Sequence, residues 1–283
     1  MEPLTAEEIR EAVQKALAED IGEGDVTSLA TVPEETMAKG LMNAREPLVV
    51  CGLAFAEAAF RELCPTAELL RLVQDCQEVT PGAPLLQVVG PARALLSAER
   101  VALNYVQRLS GIATLTAQFV TAVKGTHARI LDTRKTTPGW RRFEKYAVTC
   151  GGGHNHRLGL YDMILVKDNH LAALRSEPDA IGAAVKRARE RFPRLAIEVE
   201  ADTLSQVDQA LEAKADFILL DNMNPVQLRL AVQKCKGRAK TEASGGITLG
   251  SVGGVAETGV DYISVGALTH SARAVDIGLD FDL

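Results

Sequence analysis

From residue 127 onward the chain repeats one pattern: a short apolar run, a polar cluster at its end, then a helical stretch. The runs are ARILDTRK, DMILVKDNH, LAIEVEAD, DFILLDN, KTEASGG and DYISVGA. Between them lie stretches with helical spacing, such as PDAIGAAVKRARERF, LSQVDQALEA and PVQLRLAVQKC. The apolar runs lack the in-out alternation of a half-exposed sheet. They fit strands of a parallel sheet buried on both faces. The last three units recur about every 22 residues, near the shortest βα repeat. No unit carries GxGxxG, so a closed or nearly closed α/β barrel is expected, not a doubly wound sheet.

The first part of the chain has a different grammar. Thr5-Ala6-Glu7-Glu8 is a capping-box pattern that opens an amphipathic helix ending near Asp20–Gly24. Short strand-like runs dominate residues 26–93, among them LMNAREPLVVCGL and PLLQVVG, with a helix around Leu53–Cys64. A long helix follows. Ser97 is its expected N-cap, and Ser110-Gly111 its expected break before it resumes over Ala117–Val123. The expected division is a small α/β sandwich domain at 1–110, rejoined by the tail 271–283, and a barrel domain at 111–270.

Composition excludes several classes. With 47% hydrophobic and 24% charged residues the chain is ordinary globular material. Its net charge of −6 argues against nucleic acid as a partner. No apolar run approaches the ~20 residues needed to span a bilayer, and the N-terminus lacks a signal-peptide pattern. The five cysteines, Cys51, Cys64, Cys76, Cys150 and Cys235, contain no CxxC pair. Their spacing reads as buried or incidental thiols in a reducing compartment, and a cytoplasmic protein is expected.

In a βα barrel the chemistry sits at the C-terminal ends of the strands. Those ends carry Thr133-Arg134-Lys135, Lys167, Glu198 and Glu200, Asp221-Asn222, Glu242 to Gly246, and Gly266-Ala267. The loop before the second strand adds His154, His156 and Arg157. One cation at a strand end is often only a salt-bridge partner. Four at one rim, Arg134, Lys135, Arg157 and Lys167, would repel each other unless an anion joined them. A polyanionic small ligand follows. Glu200 and Asp221 either neutralise the lysines or offer oxygen ligands to Mg2+ and ribose hydroxyls. Ser244-Gly245-Gly246 and Gly266-Ala267 end the last two strands, where such barrels bind phosphate. The loop from Gly151 to Arg157 has two histidines two apart, but nothing nearby completes a zinc site.

These segments resemble the signatures of the quinolinate phosphoribosyltransferase family. The resemblance is carried by DTRKTTPG from Asp132, EKYA from Glu144, GGGHNHRLG from Gly151, VKDNH from Val166, LLDN from Leu219 and EASGGI from Glu242. GDVTS near residue 24, SAERVALN and the tail VGALTHSARAVDIGLD extend it over the whole chain. It implies an N-terminal α/β sandwich domain and a C-terminal seven-stranded open, TIM-like α/β barrel. It also implies a homodimer or larger assembly with active sites shared between subunits, Arg100 reaching the partner's site. By the same resemblance, Arg134, Lys135, Arg157 and Lys167 surround quinolinate and the diphosphate of phosphoribosyl pyrophosphate. Thr133 and His156 line the quinolinate pocket. Glu200 and Asp221 face the ribose and Mg2+. Glu242-Ala243-Ser244-Gly245-Gly246 and Val265-Gly266-Ala267 contribute to the substrate site, the glycine segments holding the 5′-phosphate. The implied enzyme is a decarboxylating pentosyltransferase of NAD biosynthesis with no organic cofactor.

Chemistry alone leaves rivals. Lys167 beside a phosphate site is the right type for a Schiff-base aldolase. A non-carboxylating pyridine phosphoribosyltransferase and a non-catalytic phosphosugar or pyridine sensor are the others.

Overall fold

The structure, a computed structural model, describes residues 3–282. The chain forms two compact units. The first comprises Met1–Ala117, Arg142–Gly152 and Ser271–Leu283, and the second Gln118–Arg141 and Gly153–His270.

In chain order the elements are α1 (Ala6–Ile21), α2 (Val26–Thr31), β1 (Met37–Ala44), β2 (Leu48–Val49), α3 (Leu53–Leu63), β3 (Glu68–Arg71), β4 (Glu78–Val79), β5 (Pro84–Pro91) and α4 (Ala92–Ala122). There follow β6 (Arg129–Leu131), α5 (Arg141–Cys150), β7 (Ile164–Val166), α6 (Asp168–Ala172), α7 (Ala180–Arg191), β8 (Ile197–Ala201) and α8 (Leu204–Glu212). The chain ends with β9 (Phe217–Asp221), α9 (Pro225–Cys235), β10 (Lys240–Ser244), α10 (Leu249–Ala256), β11 (Tyr262–Ser264), α11 (Ala267–His270) and β12 (Ile277–Asp282).

The first unit is built on an antiparallel sheet in the order β12-β1-β5-β3. The C-terminal strand β12 pairs along β1, so DIGLDFDL returns to this unit. The capping box at Thr5 is present: its hydroxyl accepts from the Glu8 N–H, and the Glu8 carboxylate accepts from the Thr5 N–H. In the core, Phe55 of α3 stacks on Tyr105 of α4 at 4.7 Å and meets Phe143 of α5 edge-on at 5.0 Å.

Two expectations for α4 fail. The helix begins directly after β5, so Ser97 lies inside it, where its hydroxyl bonds Asp25 and the Arg93 carbonyl. It also runs unbroken through Ser110-Gly111. Gly111 is there for close packing, since a Cβ would come within 2.0 Å of the Arg273 carbonyl oxygen. Ser110 accepts the Cys51 N–H from the helix side.

The second unit carries a parallel sheet of six strands in the order β6-β11-β10-β9-β8-β7. His154 adds an isolated parallel bridge to Leu131, on the free side of β6, where a seventh strand would run. Strands β8, β9 and β10 are largely buried along their length, as their unbroken apolar runs require. Helix α5, whose residues 142–150 group with the first unit, interrupts the βα alternation between β6 and β7. Among the described residues no helix is long and apolar enough to cross a membrane.

Candidate active site

Because all six strands run parallel, their C-terminal ends lie at one end of the sheet. Residues from all six ends line a single cavity of about 790 Å³. Thr133, Arg134 and Lys135 follow β6, Lys167 follows β7, and Glu200 ends β8. Asp221 and Asn222 come from β9, Glu242 and Ser244 from β10, Ser264 and Gly266 from β11. Its volume is in the range of small-molecule sites.

The four cations from the strand ends and the Gly151–Arg157 loop share this cavity. Arg134, Lys135, Arg157 and Lys167 all line the cavity. Lys167 is held by both carboxylate oxygens of Glu200 at 3.2 Å. Arg157 is pulled below its ordinary pKa, first by burial and then by the charge of Arg134. The Arg134 Nε–H is buried without a hydrogen-bond partner. A buried guanidinium donor left open costs free energy that a bound carboxylate or phosphate would recover.

Beneath them lies a group that sequence spacing hides. His156 Nε2 is 3.0 Å from Glu198 and 3.4 Å from Glu242, both buried. Burial lowers the His156 pKa, but the hydrogen bonds to Glu198 and Glu242 outweigh it and push it up to about 10. Burial, aided by Glu242, pushes Glu198 up to about 7. The Arg157 backbone nitrogen lies 2.7 Å from His156 Nδ1, while Nε2 faces the two carboxylates. Asp132, fully buried, accepts from the His156 N–H at 2.9 Å and from the Asn155 side chain. The loop after Gly153 is therefore tied down in the second unit. His156 does gather carboxylates, but from β8 and β10, far away in the sequence.

The wall at the ends of β9 and β10 is built for backbone contact. Asn222 (φ +54°), Gly245 (φ +93°) and Gly246 (φ +59°) take left-handed conformations at the ends of β9 and β10. A Cβ on Gly245 would lie 2.1 Å from the Asn222 Oδ1. Consecutive residues in this region present N–H groups to an anion. Asp221 accepts hydrogen bonds from Ser244 and Asn222. At β11, a Cβ on Gly266 would come within 3.1 Å of His270 and 3.2 Å of the Lys135 side chain, so glycine keeps that corner open.

Thr133, His156, Glu242, Ser244, Gly245, Gly246, Gly266 and Ala267 also line the cavity. Ala243 and Val265 do not: both are buried, and strand alternation turns them away from the side that Glu242, Ser244, Ser264 and Gly266 face. Arg100 is exposed on α4, in the first unit, and does not line the cavity. Ser264, Thr248 and His270 are lining residues that strand-end reading leaves unassigned, and Leu165 and Leu219 add apolar surface.

Comparison with known proteins agrees with this geometry. Residues 25–110 match the family model "Quinolinate phosphoribosyl transferase, N-terminal domain", and residues 112–280 match "Quinolinate phosphoribosyl transferase, C-terminal domain". The chain is 48% identical to a nicotinate-nucleotide pyrophosphorylase [carboxylating] of Mycobacterium leprae, over 96% of each chain. It is 42% identical to a probable nicotinate-nucleotide pyrophosphorylase [carboxylating] of Bacillus subtilis, over 98% of this chain and 94% of the other. A solved nicotinate-nucleotide pyrophosphorylase from Francisella tularensis superposes with a TM-score of 0.93 at 37% identity, covering 99% and 98% of the two chains.

Proposed function

The chain belongs to the quinolinate phosphoribosyltransferase family, and from that premise we propose how its own residues carry the reaction. The activity is a pentosyl transfer of NAD biosynthesis. Quinolinate and phosphoribosyl pyrophosphate give nicotinate mononucleotide, pyrophosphate and CO2. The observation that carries the residue assignment is the open Nε–H of Arg134, buried beside Arg157 in the cavity.

Arg134, Lys135 and Arg157 take the two carboxylates of quinolinate and the diphosphate, with Thr133 and His156 against the pyridine. The paired Glu198 and Glu242 hold His156 through Nε2 and so fix its ring at the cavity wall. The left-handed turn at Gly245-Gly246, with Gly266 opposite, receives the 5′-phosphate through backbone N–H groups. Lys167, paired with Glu200, keeps the empty rim balanced and turns to the substrates when they arrive.

Glu200 and Asp221 suit Mg2+: they are carboxylates at neighbouring strand ends on one cavity wall, and hard cations take oxygen donors beside phosphates. When bound, the ion would offset charge on the pyrophosphate. The cationic side chains then hold the leaving group while the ribose C1 gains positive character and the pyridine nitrogen attacks it. Quaternising that nitrogen makes the ring an electron sink, so the C2 carboxylate leaves as CO2. No organic cofactor is needed for these steps. A homodimer or larger assembly, with Arg100 supplied to a partner's site, completes the proposal. The unpaired cysteines support a reducing, cytoplasmic setting.

The test is direct. Purified protein with both substrates and Mg2+ should release CO2 and nicotinate mononucleotide in equal amounts. Product formed from nicotinate, with none from quinolinate, would overturn the assignment.

A further inference from the structure

Three of the five thiols, distant in sequence, meet in the first unit. Cys51 precedes α3, Cys76 lies in the turn before β4, and Cys150 ends α5. The thiol of Cys150 interacts with both Cys51 and Cys76. The Sγ atoms of Cys51 and Cys150 and a carboxylate oxygen of Asp75 lie within 4.8 Å of one another. We propose that Cys51, Asp75 and Cys150 form a zinc site, with the exposed Cys76 beside Cys150 turning in as the fourth ligand when the ion binds.

Several observations support a built site. A tetrahedral zinc with bonds of about 2.3 Å to sulfur needs ligand atoms roughly 3.8 Å apart, a small adjustment for Cys51, Asp75 and Cys150, which lie within 4.8 Å of one another. The carboxylate is already oriented. Asp75 accepts from the N–H groups of Gly52 (2.9 Å) and Leu53 (3.2 Å) and from the Tyr146 hydroxyl (2.8 Å). Outer hydrogen bonds of this kind fix metal ligands in place. The two ligand-bearing segments are pinned together: Cys76 N–H donates to the Val50 carbonyl at 2.7 Å, and Val50 N–H donates to the Gln77 carbonyl at 2.9 Å. Cys76 holds φ +72°, a conformation uncommon for a residue with a Cβ. Held backbone strain of this sort concentrates at functional positions.

The geometry also gives an entry path. Cys51 and Cys150 are buried, whereas Cys76 is exposed and closes the site from outside. Three thiols and one carboxylate match the soft and oxygen donors zinc accepts. On binding, each ligating thiol releases its proton to solvent and the ion takes its place.

Cadmium, a thiophilic probe for the same donors, tests the proposal on the whole, reduced protein. One equivalent per chain should produce the ultraviolet sulfur-to-cadmium charge-transfer band, and zinc should compete it away. Carboxylate sites such as Glu200 and Asp221 are silent in this band. Cys150→Ala should abolish it, and Cys76→Ser should weaken binding about tenfold or more. If Cys150→Ala does not fold, Cys76→Ser on the exposed side decides. Absence of the band in the native protein, or an unchanged band and affinity in the Cys76→Ser variant, would overturn the site. So would a disulfide within the cluster that forms in air while stoichiometric cadmium binding fails.

Discussion

Arg134 and Arg157 act on each other as unlike partners would not: the positive charge of Arg134, after burial, is what lowers the Arg157 pKa. Two guanidiniums facing one cavity store electrostatic repulsion that an anionic ligand relieves. A substrate with two carboxylates and a second one with a diphosphate fit that arrangement.

The same logic applies to His156. Glu198 and Glu242 raise its pKa to about 10 against the effect of burial. In Glu198→Gln one of the two supporting charges is lost while burial remains, so the pKa should fall by about one unit or more. Histidine NMR across a pH series measures this. A His156 titration unchanged by the substitution would show that Glu198 does not hold the proton.

Much of this site is legible in the sequence because strand ends concentrate polar residues after apolar runs. Arg134, Lys167, Glu200, Asp221 and Ser244 are found that way. Glu198 is read at a strand end too, but its role is hidden there, because it depends on His156 from a different loop. The continuity of α4 is hidden as well, since Gly111 reads as a helix breaker until Arg273 appears against it. Helix α5 escapes for a related reason: most of it packs with the first unit and so falls outside the βα rhythm. Local pattern reports local structure, and these features arise from contacts between distant segments.

Gly245 should not tolerate a side chain. Its φ of +93° is strained for any other residue, and a Cβ would press into Asn222. Gly245→Ala should cost about 1 kcal/mol or more in stability. It should raise the KM for phosphoribosyl pyrophosphate much more than that for quinolinate. Steady-state kinetics with each substrate varied separates the two, and equal effects on both would count against a phosphate role for this turn.

Acid should weaken the docking of the C-terminal segment within the first unit. The Arg273 guanidinium, with the Asp276 N–H, holds the Glu46 carboxyl down to about 2 from 4.5. A depressed carboxyl stabilises the fold above about pH 4.5, and that contribution is lost as pH falls toward 2. Glu46→Gln should therefore melt earlier than the native chain near neutrality, with the gap narrowing below pH 4.5. A gap constant with pH would remove Glu46 from the acid response.

The central claim is that the guanidiniums of Arg134 and Arg157 recognise a dicarboxylate. Calorimetric titration of quinolinate into the native protein, Arg134→Ala and Arg157→Ala tests it most directly. Each substitution should weaken binding about 10- to 100-fold, the span expected for a lost charged hydrogen bond, without lowering the melting temperature. Quinolinate bound equally well by all three proteins would contradict the account.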